Sequence, residues 1–188
     1  MNVPGPPRPD PGAPWSVRVA RAEEDIALIH RWMHQPHVVP FWQQDWSLPR
    51  WREEIATQLA GEHSLPCLVA RDGTDIAYLE VYRVLRDRLA GYYPHAPYDL
   101  GVHVAIGEWG CTGRGIGRSL LAEISAALLR QDGRCSRVVA EPDTTNQPSL
   151  AAFEAAGFRA TGEIALPEKV ATLMVRARPG TPDPVTGD

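Results

Sequence analysis

Cysteine and long apolar runs are scarce in this chain, and each absence excludes a class of protein. Its 188 residues include three cysteines, Cys67, Cys111 and Cys135, which are odd in number and unevenly spaced. This usage is typical of reduced thiols in a cytoplasmic protein and argues against a disulfide framework. No apolar run approaches the roughly 20 residues of a membrane-spanning helix, and the N-terminus has no apolar signal core. We therefore expect no membrane partner.

Positive charge is not in excess either. The formal net charge is −4, and the arginines are scattered along the chain. A nucleic-acid-binding surface needs clustered cations, so we expect no nucleic-acid partner and look for a small-molecule function. The composition leaves the oligomeric state open.

The length and the two ends predict one domain with tails. A chain of 188 residues can bury one real core but not two comfortable ones. Residues 1–14 and 179–188 are rich in proline and glycine and have few apolar side chains to bury, so both are predicted to be disordered. The folded domain is expected over residues 15–178.

Apolar periodicity predicts a mixed order of strands and helices. A hairpin is expected over Asp72-Gly73 because this pair favours a tight turn. The predicted strands are residues 17–20, 67–71, 76–84, 99–106, 137–141, 158–164 and 170–178, and the predicted helices are 23–33, 47/48–60, 115–130 and 146–158.

The segment from Asp99 to Gly117 carries the strongest chemical signal. A strand with alternating apolar residues precedes a loop containing Gly113, Gly115 and Gly117, and a helical pattern follows at once. This geometry suits phosphate, because backbone N–H groups and the helix N-terminus point at the ligand while glycines let it approach. The spacing excludes two phosphate loops. A P-loop needs lysine where Arg118 stands, and a dinucleotide loop needs G-x-G-x-x-G.

The remaining pattern, R/Q-x-x-G-x-G/A, resembles the pyrophosphate loop of the GNAT acyltransferases, which bind acyl-coenzyme A. Thr112 stands where that family usually has Arg or Gln. A second segment, N-x-x-S-x-x-x-F-x-x-x-G-F at residues 146–158, resembles another GNAT motif. Phe153 replaces the tyrosine that often protonates the departing thiolate in the family.

The resemblance covers nearly all of residues 15–178 and implies the GNAT fold. This α/β (α+β) fold has a mixed, mostly antiparallel twisted sheet, splayed at the acyl-coenzyme A cleft and flanked by helices. Acyl-coenzyme A is implied as co-substrate, without a metal, and a backbone N–H near Val104 or Ala105 is implied to polarise the thioester carbonyl. The implied cofactor-binding residues are Val104, Ala105, Ile106, Gly113, Arg114, Gly115, Ile116, Gly117, Arg118, Asn146 and Phe153.

Two further segments narrow the family. Residues 32–42, WMHQPHVVPFW, resemble a segment shared by siderophore-biosynthesis acyltransferases and aminoglycoside 6′-N-acetyltransferases. Residues 78–108, with Y-x-E-x-Y and Y-D-x-G-x-H, resemble the siderophore group more closely. This implies direct acyl transfer in a ternary complex to an N-hydroxylated diamine or diamino acid, such as N-hydroxycadaverine, N-hydroxylysine or N-hydroxyornithine. The alternatives are acetylation of an aminoglycoside or another small amine, and a non-catalytic acyl-coenzyme A-binding domain.

The candidate site residues each have a structural alternative. His103 is interpreted as the general base, because an imidazole titrates near physiological pH, or else as a half-buried strand histidine. Asp143 is interpreted as holding the amine or pairing with His103, or else as capping a turn. The resemblance also places four residues in the acceptor pocket: His37, Trp42, Glu80 and Tyr82.

Overall fold

A seven-stranded sheet organises the protein, as a computed structural model of residues 2–181 shows. The strands are β1 (Trp15–Val19), β2 (Ser64–Arg71), β3 (Thr74–Arg83), β4 (Leu100–Ile106), β5 (Arg137–Ala140), β6 (Arg159–Ala165) and β7 (Val170–Ala177). The helices are α1 (Ile26–Met33), α2 (Val39–Trp42), α3 (Leu48–Ala60), α4 (Ile116–Gln131) and α5 (Gln147–Ala155), with short 3₁₀ turns at Val84–Arg86, Arg88–Gly91 and Trp109–Cys111.

The strand order is β1-β2-β3-β4-β5-β7-β6, and every neighbouring pair is antiparallel except β4 and β5. These two strands pair in parallel through only Leu100–Val138 and Gly101–Val139. Beyond Gly101 they separate, and the sheet opens into a cleft. The predicted fold class, including the splayed sheet, is confirmed.

Helices cover both faces of the sheet. On one face, the apolar stripe of α4, with Leu120 and Ile124, packs with α5 against Val102 and Val138. On the other face, α1 and α3 pack against β2 and β3, and Tyr78 lies in that core without solvent exposure. The helical periodicity read from the sequence therefore positions the apolar faces correctly.

Most predicted elements are present with shifted ends. The Asp72-Gly73 turn has φ values of 49° and 81°, the left-handed conformation that a tight hairpin requires. Helix α1 begins at Ile26 instead of residue 23, and α5 ends at Ala155, one residue before the end implied by Gly157 as its stop. The sequence reading missed the four-residue helix α2, because a single turn around a proline has too few residues to show a period.

The prediction that the N-terminal segment is disordered is wrong for residues 2–14. Val3 is 2% exposed, and Arg83 donates a hydrogen bond from Nε to the Pro4 carbonyl at 3.0 Å. Further along, Arg8 donates to the Val17 carbonyl at 2.6 Å. Hydrogen bonds to residues elsewhere in the domain thus hold this proline-rich segment in place, and composition alone does not reveal them. Residues 182–188 of the predicted C-terminal tail lie outside the described residues.

Candidate active site

The cleft between β4 and β5 has a volume of about 770 Å³ and collects most of the predicted site residues. Its walls come from β4, the α2 region, the loop before α4, the end of β5 with the start of α5, and the β6–β7 turn. Fourteen predicted residues line it: His37, Trp42, Glu80, His103, Val104, Ala105, Ile106, Gly113, Gly115, Gly117, Arg118, Asp143, Asn146 and Phe153.

The edge of β4 offers backbone groups to this cleft. In an antiparallel ladder only alternate residues exchange hydrogen bonds with a given neighbour. The bond from Gly107 N–H to the Ile76 carbonyl, at 2.9 Å, assigns the odd-numbered residues of β4 to β3. The N–H and C=O groups of Val104 and Ile106 therefore face the cleft. Ala105 contributes only its side chain, because its backbone belongs to the ladder with β3.

His103 lies between two carboxylates on the floor of the cleft. Its Nδ1 is 3.0 Å from Glu80 Oε2, and its Nε2 is 2.5 Å from Glu141 Oε1. Glu80 sits directly opposite on β3, and Glu141 follows β5. A neutral imidazole can donate from only one ring nitrogen, so two carboxylate partners favour the doubly protonated imidazolium.

The electrostatics of this triad agree with its geometry. Burial opposes protonation of His103, but the charges and hydrogen bonds of Glu141 and Glu80 outweigh burial and raise its pKa to about 10. Burial likewise favours the neutral form of Glu141, yet the charge of His103 lowers the pKa of that carboxyl to about 2. The pKa of Glu80 is also lowered, against burial, chiefly by its hydrogen bond to His103. The triad is therefore a partly buried ionic cluster with a net charge of −1.

Each carboxylate is fixed from behind by a tyrosine. The Tyr82 hydroxyl donates to Glu141 Oε2 at 2.7 Å, and the Tyr78 hydroxyl donates to Glu80 Oε1 at 2.9 Å. Tyr82 does not line the cleft as predicted. It is 1% exposed and lies over Gly101, where a Cβ atom would come within 1.9 Å of its ring. Tyr82 therefore positions Glu141 and cannot touch an acceptor in the cleft.

Asp143 does not pair with His103, because Glu80 and Glu141 occupy both nitrogens of that ring. The Asp143 carboxylate instead accepts from the Thr145 N–H at 2.8 Å and the Thr145 hydroxyl at 2.6 Å, which closes a turn before α5. Strand alternation explains the difference. Glu141 follows Val139 on the side-chain face shared with His103, whereas Asp143 lies past the end of β5.

The glycine loop lies at the other end of the cleft. Gly113 and Gly115 have φ values of 69° and 73°, which side-chain-bearing residues rarely adopt, and α4 begins directly after Gly115. Gly117 and Arg118 also line the cleft, so free helix-terminal N–H groups and one cation are available to a phosphate. Arg114 and Ile116 do not line it. Ile116 packs against the core instead.

Asn146 and Phe153 have structural roles beside the cleft. Asn146 caps α5, accepting a hydrogen bond from the Ser149 N–H at 3.2 Å. Phe153 is 5% exposed and packs edge-on against Phe158, with ring centroids 5.0 Å apart. It borders the cleft but offers no proton to a ligand.

Two predicted acceptor residues form the opposite wall. His37 donates from Nε2 to the Ile106 carbonyl at 2.8 Å, which ties the α2 region to β4. The Trp42 ring lies edge-on to His103, with centroids 6.1 Å apart, and its indole N–H is bonded to Gln44. The α2 region thus holds an aromatic surface against the ionic triad.

Glu141 and a charged group at the mouth of the cleft are site features that were not predicted from the sequence. Arg88 and Glu168 form an ion pair there, with Nη1 and Oε2 2.7 Å apart, and Lys169 lies beside them in the β6–β7 turn. Glu141 could have been predicted, because strand alternation places it on the same face as Val139. No local signal marks the mouth group, because the turn meets Arg88 only in the folded chain.

Comparison of the chain with known proteins identifies its family. Residues 21–166 match the profile described as an acetyltransferase (GNAT) domain. The chain belongs to this family. The predicted family and its acyltransferase class are thereby confirmed.

Relatives and a solved structure agree with the assignment. The chain is 40% identical to the lysine N-acyltransferase MbtK of Mycolicibacterium paratuberculosis, over 86% of this chain and 73% of the relative. It is 33% identical to the N-hydroxyputrescine acetyltransferase of Acinetobacter baumannii, over 85% and 76%. The crystal structure of an uncharacterized Bacillus halodurans protein superposes with a TM-score of 0.82 at 32% identity, covering 87% of this chain and 83% of that one.

The described residues show neither a metal site nor a membrane-spanning helix. Residues 2–181 contain no group of three or more His, Cys, Asp or Glu side chains arranged to hold a metal ion, and the side chains of the Glu80–His103–Glu141 triad bond to one another instead. No helix in that range is long and apolar enough to span a membrane.

Proposed function

We propose that the protein transfers an acyl group from acyl-coenzyme A to the hydroxylamine nitrogen of an N-hydroxylated diamine or diamino acid. The product is a hydroxamate, the iron-binding group of hydroxamate siderophores. One observation carries the proposal: the cleft joins the glycine loop before α4, whose geometry suits a phosphate, to the Glu80–His103–Glu141 triad. The names of the relatives, lysine in one and N-hydroxyputrescine in the other, support an acceptor of this size.

The donor fits the edge of β4. The pyrophosphate of coenzyme A would lie on the loop from Gly113 to Arg118, where helix-terminal N–H groups and the Arg118 cation favour negative charge. The extended pantetheine arm would then run along the edge of β4, where the backbone groups of Val104 and the N–H of Ile106 face the cleft and the Ile106 carbonyl is bonded to His37. This places the thioester carbonyl near the Val104 N–H, which would stabilise the oxyanion of the tetrahedral intermediate.

The acceptor nitrogen needs little activation. A hydroxylamine nitrogen is much less basic than an alkyl amine and is mostly unprotonated at neutral pH. After it attacks the carbonyl it carries a positive charge and becomes a strong acid, so a weak base suffices to remove its proton. The triad has a net charge of −1 and can accept that proton at Glu141. In this mechanism Glu141 replaces His103 as the proton acceptor, because neither nitrogen of His103 is free.

The collapse of the intermediate completes the reaction. The carbon–sulfur bond breaks, the carbon–nitrogen bond remains, and coenzyme A departs as a thiolate. Phe153 has no proton to donate, so the thiolate takes its proton from water at the open end of the cleft. Glu141 then releases to the solvent the proton that it took from nitrogen, which neutralises the hydroxide left by that water and restores the carboxylate.

A thiol-release assay tests the proposal. Acetyl-coenzyme A or succinyl-coenzyme A is offered with N6-hydroxylysine, N-hydroxycadaverine, lysine, cadaverine and kanamycin. We expect at least one hydroxylamine to be acylated with a higher kcat/KM than its parent amine, and mass spectrometry to show a hydroxamate. Higher turnover of kanamycin or of the parent amines would overturn the proposal.

A further inference from the structure

Lys169 is the only lysine in the sequence, and it lines the cleft at the end where the acceptor is proposed to bind. It lies in the tight turn between β6 and β7, closed by the bond from the Leu166 N–H to the Lys169 carbonyl at 2.9 Å. Within residues 2–181 its ammonium group makes no hydrogen bond or ion pair. The turn therefore presents an unpaired cation to the cleft.

The backbone holds this turn beside the segment that follows Glu141. The Thr144 N–H donates to the Val170 carbonyl at 3.0 Å, and Asp143 forms a β-bridge with Ala171. Lys169 helps to lower the pKa of both Glu141 and Asp143, so its charge acts on the acceptor side of the cleft. The turn is anchored to the same segment that carries the triad's carboxylate.

The cations that line the cleft differ in whether a carboxylate already pairs with them. The neighbouring cation Arg88 is already neutralised by Glu168. The remaining cation on the donor side, Arg118, belongs to the glycine loop. At the acceptor end, Lys169 is thus the positive group that remains available to an anion, with Asp143 and the Arg88–Glu168 pair close by.

We propose that Lys169 binds the carboxylate of the acceptor, and that the acceptor is therefore an N-hydroxylated diamino acid and not a diamine. This inference rests on the proposed function and names the substrate class of the same cleft. A diamino acid places its carboxylate on Lys169 and leaves its α-ammonium for Asp143 or Glu168. A hydroxylated diamine has only the ammonium, which Lys169 would repel.

A carboxylate at Lys169 has a second possible source, the acyl group of succinyl-coenzyme A. The two sources are distinguishable because the acceptor and the donor can be varied independently. N6-hydroxylysine and N-hydroxycadaverine differ only in the carboxylate of the acceptor, and succinyl- and acetyl-coenzyme A differ in the carboxylate of the donor.

The experiment measures binding and turnover in parallel. Calorimetry on the coenzyme A complex gives the Kd of N6-hydroxylysine and N-hydroxycadaverine for the wild type and for Lys169→Met, Lys169→Arg and Arg130→Met. We expect Lys169→Met to weaken N6-hydroxylysine roughly tenfold or more, since a hydrogen bond to a charged group contributes at least that much. N-hydroxycadaverine should bind equally well or better. Lys169→Arg should restore binding, and Arg130→Met should change neither, because Arg130 is exposed on α4 outside the cleft.

The sole lysine gives an independent readout. An amine-reactive reagent followed by peptide mapping should label Lys169, and N6-hydroxylysine should protect it while N-hydroxycadaverine should not. Equal weakening of both hydroxylamines in Lys169→Met, no preference in the wild type, or a selective loss of succinyl-coenzyme A turnover would each overturn the inference. Binding without acylation of N6-hydroxylysine would instead contradict the proposed function and leave the carboxylate site standing.

Discussion

The Nε2 atom of His103 lies 2.5 Å from Oε1 of Glu141, across the point where β4 and β5 stop pairing. The two residues belong to different strands of a parallel pair that has only two matched positions. Their contact therefore spans the floor of the cleft and fixes the separation of its two walls. Loss of the charge on His103 or Glu141 would therefore change the separation of the two walls.

Glu141→Gln should lower kcat by about 10²- to 10⁴-fold, the range for loss of a positioned proton acceptor. The amide keeps the size of the side chain but removes the negative charge that accepts the proton. Steady-state kinetics with N6-hydroxylysine give kcat, and calorimetry should show an unchanged Kd for acyl-coenzyme A. Circular dichroism checks folding.

Asp143→Asn is the matched control for this change. The residue has the same charge and lies two positions away, but it bonds to Thr145 instead of His103. We expect kcat to fall by less than about tenfold, below the range for a positioned base, with any larger effect on the KM of the acceptor. A loss equal to that of Glu141→Gln would assign the catalytic carboxylate to Asp143.

The stability of the protein should fall as the pH rises from about 6.5 to about 10. The pKa of His103 is raised from 6.5 to about 10 in the folded state, so the folded protein holds an extra proton in this window. Its contribution is complete below pH 6.5 and is lost as the pH approaches 10. For Glu141, whose pKa is lowered from 4.5 to about 2, the contribution is present above pH 4.5 and is lost as the pH falls toward 2.

Urea unfolding at pH 6, 8 and 9.5 measures this decline. His103→Gln serves as the comparison, because it cannot take up the proton. Its free energy of unfolding should vary less across the same pH range. Parallel curves for the two proteins would show that other groups cause the decline.

Gly115→Val should weaken acyl-coenzyme A binding by at least tenfold. Gly115 has a φ of 73°, which valine adopts only with strain, and a side chain there would stand between the loop backbone and the pyrophosphate. Gly133→Val is the control. It lies just past α4 in open space and has an unstrained φ. Calorimetric titration with acetyl-coenzyme A decides, and an unchanged Kd in folded Gly115→Val would remove the loop from the donor site.

Gly101→Ala should destabilise the protein by about 1–3 kcal/mol, the usual cost of overpacking. An added Cβ would lie 1.9 Å from the Tyr82 ring and would displace the hydroxyl that holds Glu141. Gly110→Ala meets no atom within 4 Å and should leave the melting temperature within a few degrees of the wild type. If calorimetry showed equal melting temperatures for the two variants, the packing of Tyr82 would be looser than described.

Many of the strands and helices could be predicted from the sequence, because each depends on a pattern of residues close together in the chain. Alternation from Leu100 to Ile106 and the glycines at 113, 115 and 117 specify a strand, a loop and a helix start that depend on neighbouring residues only. The resemblance to the GNAT family then supplied a mixed, mostly antiparallel sheet that is splayed at the cleft, but no order of its strands. His103 and the cleft-facing edge of β4 followed from these two sources together.

The partners of His103 could not be predicted with the same certainty, because they come from the pairing of distant strands. Glu80 and Glu141 lie 23 residues before it and 38 residues after it. Asp143 was predicted from the sequence without using the alternation of Val139 and Glu141, which puts Glu141 on the face of the sheet that carries His103. The tertiary contact of the N-terminal segment with Arg83 was invisible for the same reason.

The incomplete pairing of β4 also bears on aggregation. A free strand edge at the rim of a sheet invites other chains to pair with it. In this protein the cleft-facing edge of β4 at Val104 lies inside the sheet, with β3 on one side and β5 diverging on the other. A strand of another chain could reach this edge only by entering between β4 and β5, whereas an edge strand at the rim of a sheet is open to any neighbour. In the proposed complex the amide-bearing pantetheine arm of coenzyme A would cover the exposed backbone groups of β4.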